Sequence, residues 1–170
     1  IGSGGDDVFM GGTGSDTLSG GIGSDTLTFS DAGSAVTIDL TTGMATGFGT
    51  HDISGFEVLV GSASGDVLTA EDAVGGNAGL DGGAGNDTIF ANIGNDSVIG
   101  GADNDTLSYN LSVSTAITMV FASMGIGSVT GFGSDSFFGI EVFQAGGGND
   151  TLTGSAGVDH LIGVAGNDTI

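Results

Sequence analysis

The chain has 170 residues, 37 of them Gly, with 21 acids, no Lys or Arg and a formal charge of -21. A surface without a cation cannot hold nucleic acid phosphates or anionic lipid by the usual Lys and Arg contacts, whereas it suits multivalent cations. The absence of Cys excludes disulfides and thiolate metal sites and fits an exposed extracellular protein; no apolar run reaches membrane-spanning length and no signal-peptide pattern opens the sequence.

In chain order, residues 2–28 hold three nonapeptides starting at Gly2, Gly11 and Gly20, each approximating G-G-x-G-x-D-x-U-x with U a large apolar residue. Residues 29–60 interrupt them. A second run fills residues 61–108, with units from Gly61, Ala73, Gly82, Ala91 and Gly100, and after a second interruption over 109–144 a last run fills 145–170, from Ala145, Gly154 and Gly163. The sixth position reads Asp7, Asp16, Asp25, Asp66, Ala78, Asp87, Asp96, Asp105, Asp150, Asp159 and Asp168; the eighth is apolar every time, from Phe9 and Leu18 to Leu161 and Ile170. Such self-similarity marks a repeat architecture and, where the charge is neutralised, excludes the disorder that low complexity and high charge would otherwise suggest.

The glycine-rich first six residues read as a turn that can take positive φ and leave its carbonyls free, and the last three alternate out, in, out like a strand. A three-residue strand is stable only when stacked on copies of itself, so the expected fold is a β-solenoid with unit n above unit n+2. That stacking sets Asp7 against Asp25, Asp87 against Asp105 and Asp150 against Asp168, while Asp16, Asp96 and Asp159 lack a full partner of this kind. Two bare carboxylates about 5 Å apart repel by roughly 3 kcal/mol at an effective dielectric of about 20, and a divalent ion between them reverses the sign.

The interruptions resemble each other. Both contain "TGFG" (46–49, 130–133) followed by "GFEVL" (55–59) or "GIEVF" (139–143), so that Glu57 and Glu141 lie 84 residues apart in a duplicated block. Alternation in "VTIDL" (Val36, Ile38, Leu40) and "ITMVF" (Ile117, Met119, Phe121) predicts longer strands with one buried face, and the Phe residues concentrated here predict wider coils. Glu57 and Glu141 have two even readings, one functional, as an extra cation ligand or an acceptor from a neighbouring turn, and one as a solvated acid on a strand. His51 falls in an expected loop and His160 at an outward seventh position.

The units "GGTGSDTLS", "GGIGSDTLT", "GGAGNDTIF" and "AGGGNDTLT" resemble the nonapeptide of the RTX, or haemolysin-type, calcium-binding repeat proteins. The resemblance implies an all-β, right-handed parallel β-roll or β-solenoid, here with wider inserted β coils, and multiple bound Ca2+ ions. It implies as metal ligands Asp7, Asp16, Asp25, Asp66, Asp87, Asp96, Asp105, Asp150, Asp159 and Asp168, with carbonyls such as those of Gly11, Thr13, Gly82 and Ala84. About eight ions would offset about 16 of the 21 negative charges. Departures fall at Ala78, which lacks the acid, at Asp103, which replaces a turn Gly, and at Val74 and Val164, which replace the second Gly. Family members are usually exported by type I secretion and fold on meeting extracellular calcium.

The sequence holds no nucleophile-and-base motif and no zinc-protease pattern, so an enzyme is not expected. The expected function is a secreted or cell-surface, calcium-folded structural or adhesive solenoid, such as a surface layer, filament or adhesin segment; the alternatives are an accessory module of a type I secreted enzyme or toxin and, less favoured, an ice- or surface-binding solenoid using outward Thr. Self-association is a further expectation: Ile170 and Ile1 would join in repeat register, and outward Met10, Phe90, Ile99 and Ile162 would serve lateral packing.

Overall fold

The computed structural model describes residues 1–71, 76–109 and 115–170. Ala73 and Val74 of the fifth nonapeptide lie outside the described residues. Short strands follow the nonapeptide ends, β1 (Val8–Met10), β2 (Thr17–Ser19), β3 (Thr26–Thr28), β8 (Val67–Thr69), β9 (Gly79–Ala84), β10 (Thr88–Phe90), β11 (Ser97–Ala102), β12 (Thr106–Ser108), β17 (Thr151–Thr153) and β18 (His160–Ile162), and a strand of the same length closes each interruption, β7 (Val58–Val60) and β16 (Val142–Gln144). Ahead of that closing strand each interruption carries three more, β4 (Thr37–Asp39), β5 (Met44–Thr46) and β6 (Thr50–Ser54), then β13 (Thr118–Ser123), β14 (Ile126–Thr130) and β15 (Ser134–Phe138).

Successive nonapeptides alternate between two sheets, ordered β1-β3-β7-β9-β11-β15-β14-β13-β17 and β18-β16-β12-β10-β8-β4-β5-β6-β2. The nonapeptide strands pair in parallel, and the register puts each eighth residue on the next: Phe9 on Leu27, Leu27 on Leu59, Leu59 on Leu80, and on the other sheet Leu68 on Ile89, Ile89 on Leu107, Leu107 on Phe143. These side chains form one continuous core between the sheets, with Leu27, Leu59, Leu68, Ile89, Leu107 and Phe143 fully buried. The chain is the all-β parallel solenoid that the period requires.

Each interruption runs as an antiparallel meander spliced into a parallel sheet: β4 pairs with β5 and β5 with β6, and likewise β13 with β14 and β14 with β15. Gly43 (φ 67°) and Gly125 (φ 71°) stand at the tips of the first hairpins, where a left-handed residue closes the turn. Val36, Ile38, Ile117, Met119 and Phe121 all point inward. The aromatic side chains gather as Phe121 edge-on to Phe137 at 5.0 Å, with Tyr109 5.8 Å and Phe137 6.3 Å from Phe143. One meander places three strands in one sheet and the second places three in the other, so both sheets reach nine strands among the described residues. The duplication thus keeps the two faces of the stack in step, since rungs are spaced by about 4.8 Å on either face.

Candidate metal centre

The sixth residue of each nonapeptide lies where one coil's turn meets the next. Its N–H donates to the carboxylate of the sixth residue one coil on: Asp7 to Asp25 Oδ1 at 2.8 Å, Asp66 to Asp87 at 2.7 Å, Asp87 to Asp105 at 2.8 Å and Asp150 to Asp168 at 2.9 Å. The three facing pairs expected from the period are therefore in contact. Ala78, Val36 and Ile117 have no acid, yet their N–H groups donate in the same way to Asp96, Asp66 and Asp150. Glu57 Oε2 accepts from Asp25 N–H at 2.8 Å and Glu141 Oε2 from Asp105 N–H at 2.9 Å. Of the readings open for these two acids, acceptor from a neighbouring turn is the one their geometry takes.

Two further residues stand in this row, Asp135 and His51, and Tyr109 serves it from outside. Asp96 N–H donates to Asp135 Oδ1 at 2.8 Å, so the second meander supplies the partner that Asp96 was expected to lack. Asp135 Oδ2 in turn accepts the hydroxyl of the fully buried Tyr109 at 2.5 Å. At the equivalent place in the first block stands His51, also fully buried, with Nδ1 3.2 Å from Asp16 Oδ2 and its ring 5.6 Å from Phe29. His51 is not in a loop: it belongs to β6. The stretch "TGFGTHDIS" (46–54) fits the nonapeptide with Thr for the first Gly, which places His51 sixth and Ile53 eighth. "TGFGSDSFF" (130–138) does the same for Asp135 and Phe137.

A second ladder runs with the opposite sense through the fifth position. The N–H of one coil's fifth residue donates to the side-chain oxygen of the fifth residue one coil back: Asn95 to Asn77, Asn104 to Asn86, Ser134 to Asn95, Asn167 to Asn149 and Ser24 to Asp6, all at 2.8 to 3.0 Å. Its signal was the recurring Asn-Asp dipeptide. Asn in a glycine-rich turn reads first as a turn former, which hid its role as a link between coils.

The acid row uses only half of each carboxylate for this stitching. Asp25, Asp87, Asp96, Asp105 and Asp150 are each no more than 2% exposed, and Oδ2 of each has no hydrogen-bond partner among the described residues. An orphaned buried acceptor costs about 1–3 kcal/mol, more when charged. Burial pushes the carboxyls of Asp87 and Asp96 up to about 7 and that of Asp105 up to about 6; neighbouring carboxylates add to the shift.

The first Gly of a unit completes the geometry. A Cβ on Gly100 would lie 2.7 Å from Asp105 Oδ2 and overlap the carbonyl oxygen of Gly139; one on Gly20 would lie 2.7 Å from Asp25 Oδ2 and overlap that of Gly55. A Cβ on Gly82 would overlap Asp87 Oδ2 and sit 2.6 Å from Gly100 O. An unpartnered carboxylate oxygen and a carbonyl from the next coil thus converge on space that any larger residue would fill. Among the described residues no three Asp, Glu or His side chains gather into a cluster. Any ion held here draws on carbonyls as well as carboxylates, an all-oxygen set of the kind that suits a hard cation of high coordination number.

A family profile for RTX calcium-binding nonapeptide repeats, in four copies, matches residues 1–31, 73–107 and 135–170. The chain belongs to the RTX calcium-binding nonapeptide repeat family. No curated protein matches it. The RTX turns of this chain fit the calcium that the family implies, because their free donors are buried oxygens. When bound, calcium supplies positive charge against the stacked carboxylates, and the chain supplies oxygen ligands and the rigid spacing between coils.

The residues expected to bind divide accordingly. Asp25, Asp87, Asp96, Asp105 and Asp150 are buried with an oxygen free. Asp66 is as buried, but Ser62 N–H reaches its Oδ2 at 2.5 Å and Ser62 hydroxyl its Oδ1 at 2.9 Å. Asp7, Asp159 and Asp168 are half-buried, and Asp16 is exposed beside His51. Of the expected carbonyl donors, Gly82 and Ala84 lie on β9, with Gly82 buried and Ala84 half-buried; Gly11 is buried with the Phe29 ring against it, and Thr13 is exposed. Asp103 (φ 83°) and Val164 (φ 74°) hold the left-handed conformation of the glycines they replace.

Proposed function

We propose that this chain is a calcium-folded, extracellular structural or adhesive solenoid segment without catalytic activity. The reading is carried by the five buried carboxylates that each keep an oxygen free along the stack. Without a cation these charges repel across coils; with millimolar calcium, the range in which extracellular modules bind, the coils stack and lock. Release into calcium outside the cell then becomes the folding signal, and absence of Cys suits the same compartment.

Far-ultraviolet circular dichroism during a calcium titration, with magnesium as control, tests the reading. The expected result is a cooperative, calcium-specific gain of β signal. A β signal already complete in excess chelator and unchanged by calcium would overturn it. Electron microscopy of the calcium-loaded protein addresses assembly: fibres or sheets support a scaffold of self-associating copies, and a monodisperse monomer favours an accessory module of a secreted enzyme or toxin. Met10 and Ile99 are exposed on the outer face as lateral packing requires, whereas Phe90 and Ile162 are half-buried. Outward Thr88 and Thr106 are flanked in register by Val67 and Val142, so apolar residues interrupt that row of Thr.

A further inference from the structure

The acids of the sixth position are chemically identical, but the residue four places before each one is not. Asp25, Asp87, Asp105 and Asp150 have Gly21, Gly83, Gly101 and Gly146 there, Asp96 has Asn92, and in all five Oδ2 is unpartnered. Asp7, Asp66 and Asp159 have Ser3, Ser62 and Ser155. In these three the serine N–H donates to the carboxylate's own Oδ2, at 3.3, 2.5 and 2.6 Å, and the hydroxyls of Ser62 and Ser155 add bonds to Oδ1 at 2.9 and 3.0 Å. Burial does not explain the difference, because Asp66 and Asp87 are both 1% exposed.

Backbone geometry separates the groups in part. Gly21, Gly83 and Gly101 hold φ of 117°, 102° and 120°, and Asn92 holds 58°, whereas none of the three serines has positive φ. A serine at the second position thus leaves the left-handed region and turns its N–H onto the carboxylate. The two donors from one residue do for Asp66 what a cation would otherwise do, since a carboxylate holding several N–H and O–H bonds is stabilised as an anion without a counter-ion.

We propose that the second residue of each nonapeptide decides whether its turn binds calcium: Gly or Asn leaves the carboxylate open to the ion, and Ser closes the carboxylate on itself. This rests on the calcium reading above and divides it into two classes of turn. Asp25, Asp87, Asp96, Asp105 and Asp150 belong to ion-binding turns; Asp7, Asp66 and Asp159 belong to self-capped turns that fold by hydrogen bonding alone. The self-capped turns stand near strand β1, after the first meander and at strand β18, so they are interspersed with the ion-binding turns and not gathered into one block.

The test is the number of calcium ions bound to the intact 170-residue chain, counted by native mass spectrometry and calcium titration calorimetry. Wild type is compared with Asp87→Asn, Asp105→Asn, Asp66→Asn, Asp159→Asn and Ser62→Gly, each checked for β signal in calcium. Asp87→Asn and Asp105→Asn are expected to lose about one ion each, Asp66→Asn and Asp159→Asn none, and Ser62→Gly to gain about one. Equal losses from Asp66→Asn and Asp87→Asn overturn the sorting while leaving the calcium reading intact. A wild type that binds no calcium overturns the calcium reading itself. If Ser62→Gly proves too unstable to measure, Asp66→Asn against Asp87→Asn still decides, because Asn preserves the Oδ1 acceptor that Val36 N–H and Asp66 N–H use.

Discussion

Tyr109 gives its hydroxyl to Asp135 Oδ2, and in the other half of the duplicated block the same two places hold Phe29 and His51. The pair has changed together: where the sixth position keeps an acid, the aromatic neighbour carries a donor, and where it is His, the neighbour is a bare ring. Tyr109→Phe leaves Asp135 Oδ2 buried without a partner and should cost about 1–3 kcal/mol. At this chain length that lowers the melting temperature by about 2–4 °C per kcal/mol. Adding Asp135→His rebuilds the first-block pair, so the double variant should lie above the sum of the single losses. Thermal melts followed by circular dichroism in calcium measure the cycle; strict additivity would show that the two sites do not act as a pair.

Asp87 carries two opposed effects that one substitution separates. Asp87→Asn keeps an oxygen to accept Asp66 N–H but removes a charge that faces Asp66 and Asp105. In chelator it should raise the melting temperature, since roughly 3 kcal/mol of repulsion per facing pair is relieved at an effective dielectric of about 20. In calcium the same variant should melt lower than wild type, because an anionic ligand is lost. Asp87→Ala, which also orphans the Asp66 N–H, should melt lower in both conditions. A shift of Asp87→Asn in the same direction with and without calcium would sink the division of labour between Oδ1 and Oδ2.

The core and the acid row were legible because both repeat at a fixed period with residue types of strong preference. Leu at the eighth position and Asp at the sixth need only the parallel register to be placed, and n to n+2 stacking supplied it. His51 and Asp135 were harder to see, since Thr46 and Thr130 stand where a unit would open with Gly. The meanders were read as β but their antiparallel turn-back was not, although Gly43 and Gly125 each mark a hairpin tip between apolar alternations. The direction of the cross-coil hydrogen bonds has no one-dimensional signature at all. It follows from the pleat of a stacked turn, which composition does not encode.

Two glycine classes make a controlled comparison. Gly100→Ala drives a methyl into Gly139 O and against Asp105 Oδ2, so it should destabilise the coil and weaken calcium binding at the same turn. Gly4 and Gly33 have nothing within 4 Å of an added Cβ and do not hold positive φ. Gly33→Ala should therefore be neutral or stabilise by about 0.4–1 kcal/mol through the unfolded chain. Melting curves with calcium titrations of both variants check this. Equal behaviour of the two would mean that the first glycine is kept for turn flexibility and not for the approach of oxygen atoms.

The pH dependence of the metal-free protein has a sign opposite to that of ordinary salt-bridged carboxylates. Burial raises Asp87 and Asp96 to about 7 and Asp105 to about 6, above the value of about 4 that Asp has in an unfolded chain. Between those limits the folded state binds more protons than the unfolded state, so stability must fall as pH rises from about 4 to about 7. In chelator the β signal should thus be greater and melt higher at pH 5 than at pH 8. Calcium binds the deprotonated carboxylates and competes with those same protons, so its affinity should rise over the same window and saturating calcium should restore at pH 8 the stability that acid gave at pH 5. Chelated melts and calcium titrations at the two pH values measure both arms. A chelated protein more stable at pH 8 would mean that these carboxylates are already compensated as anions by the fold.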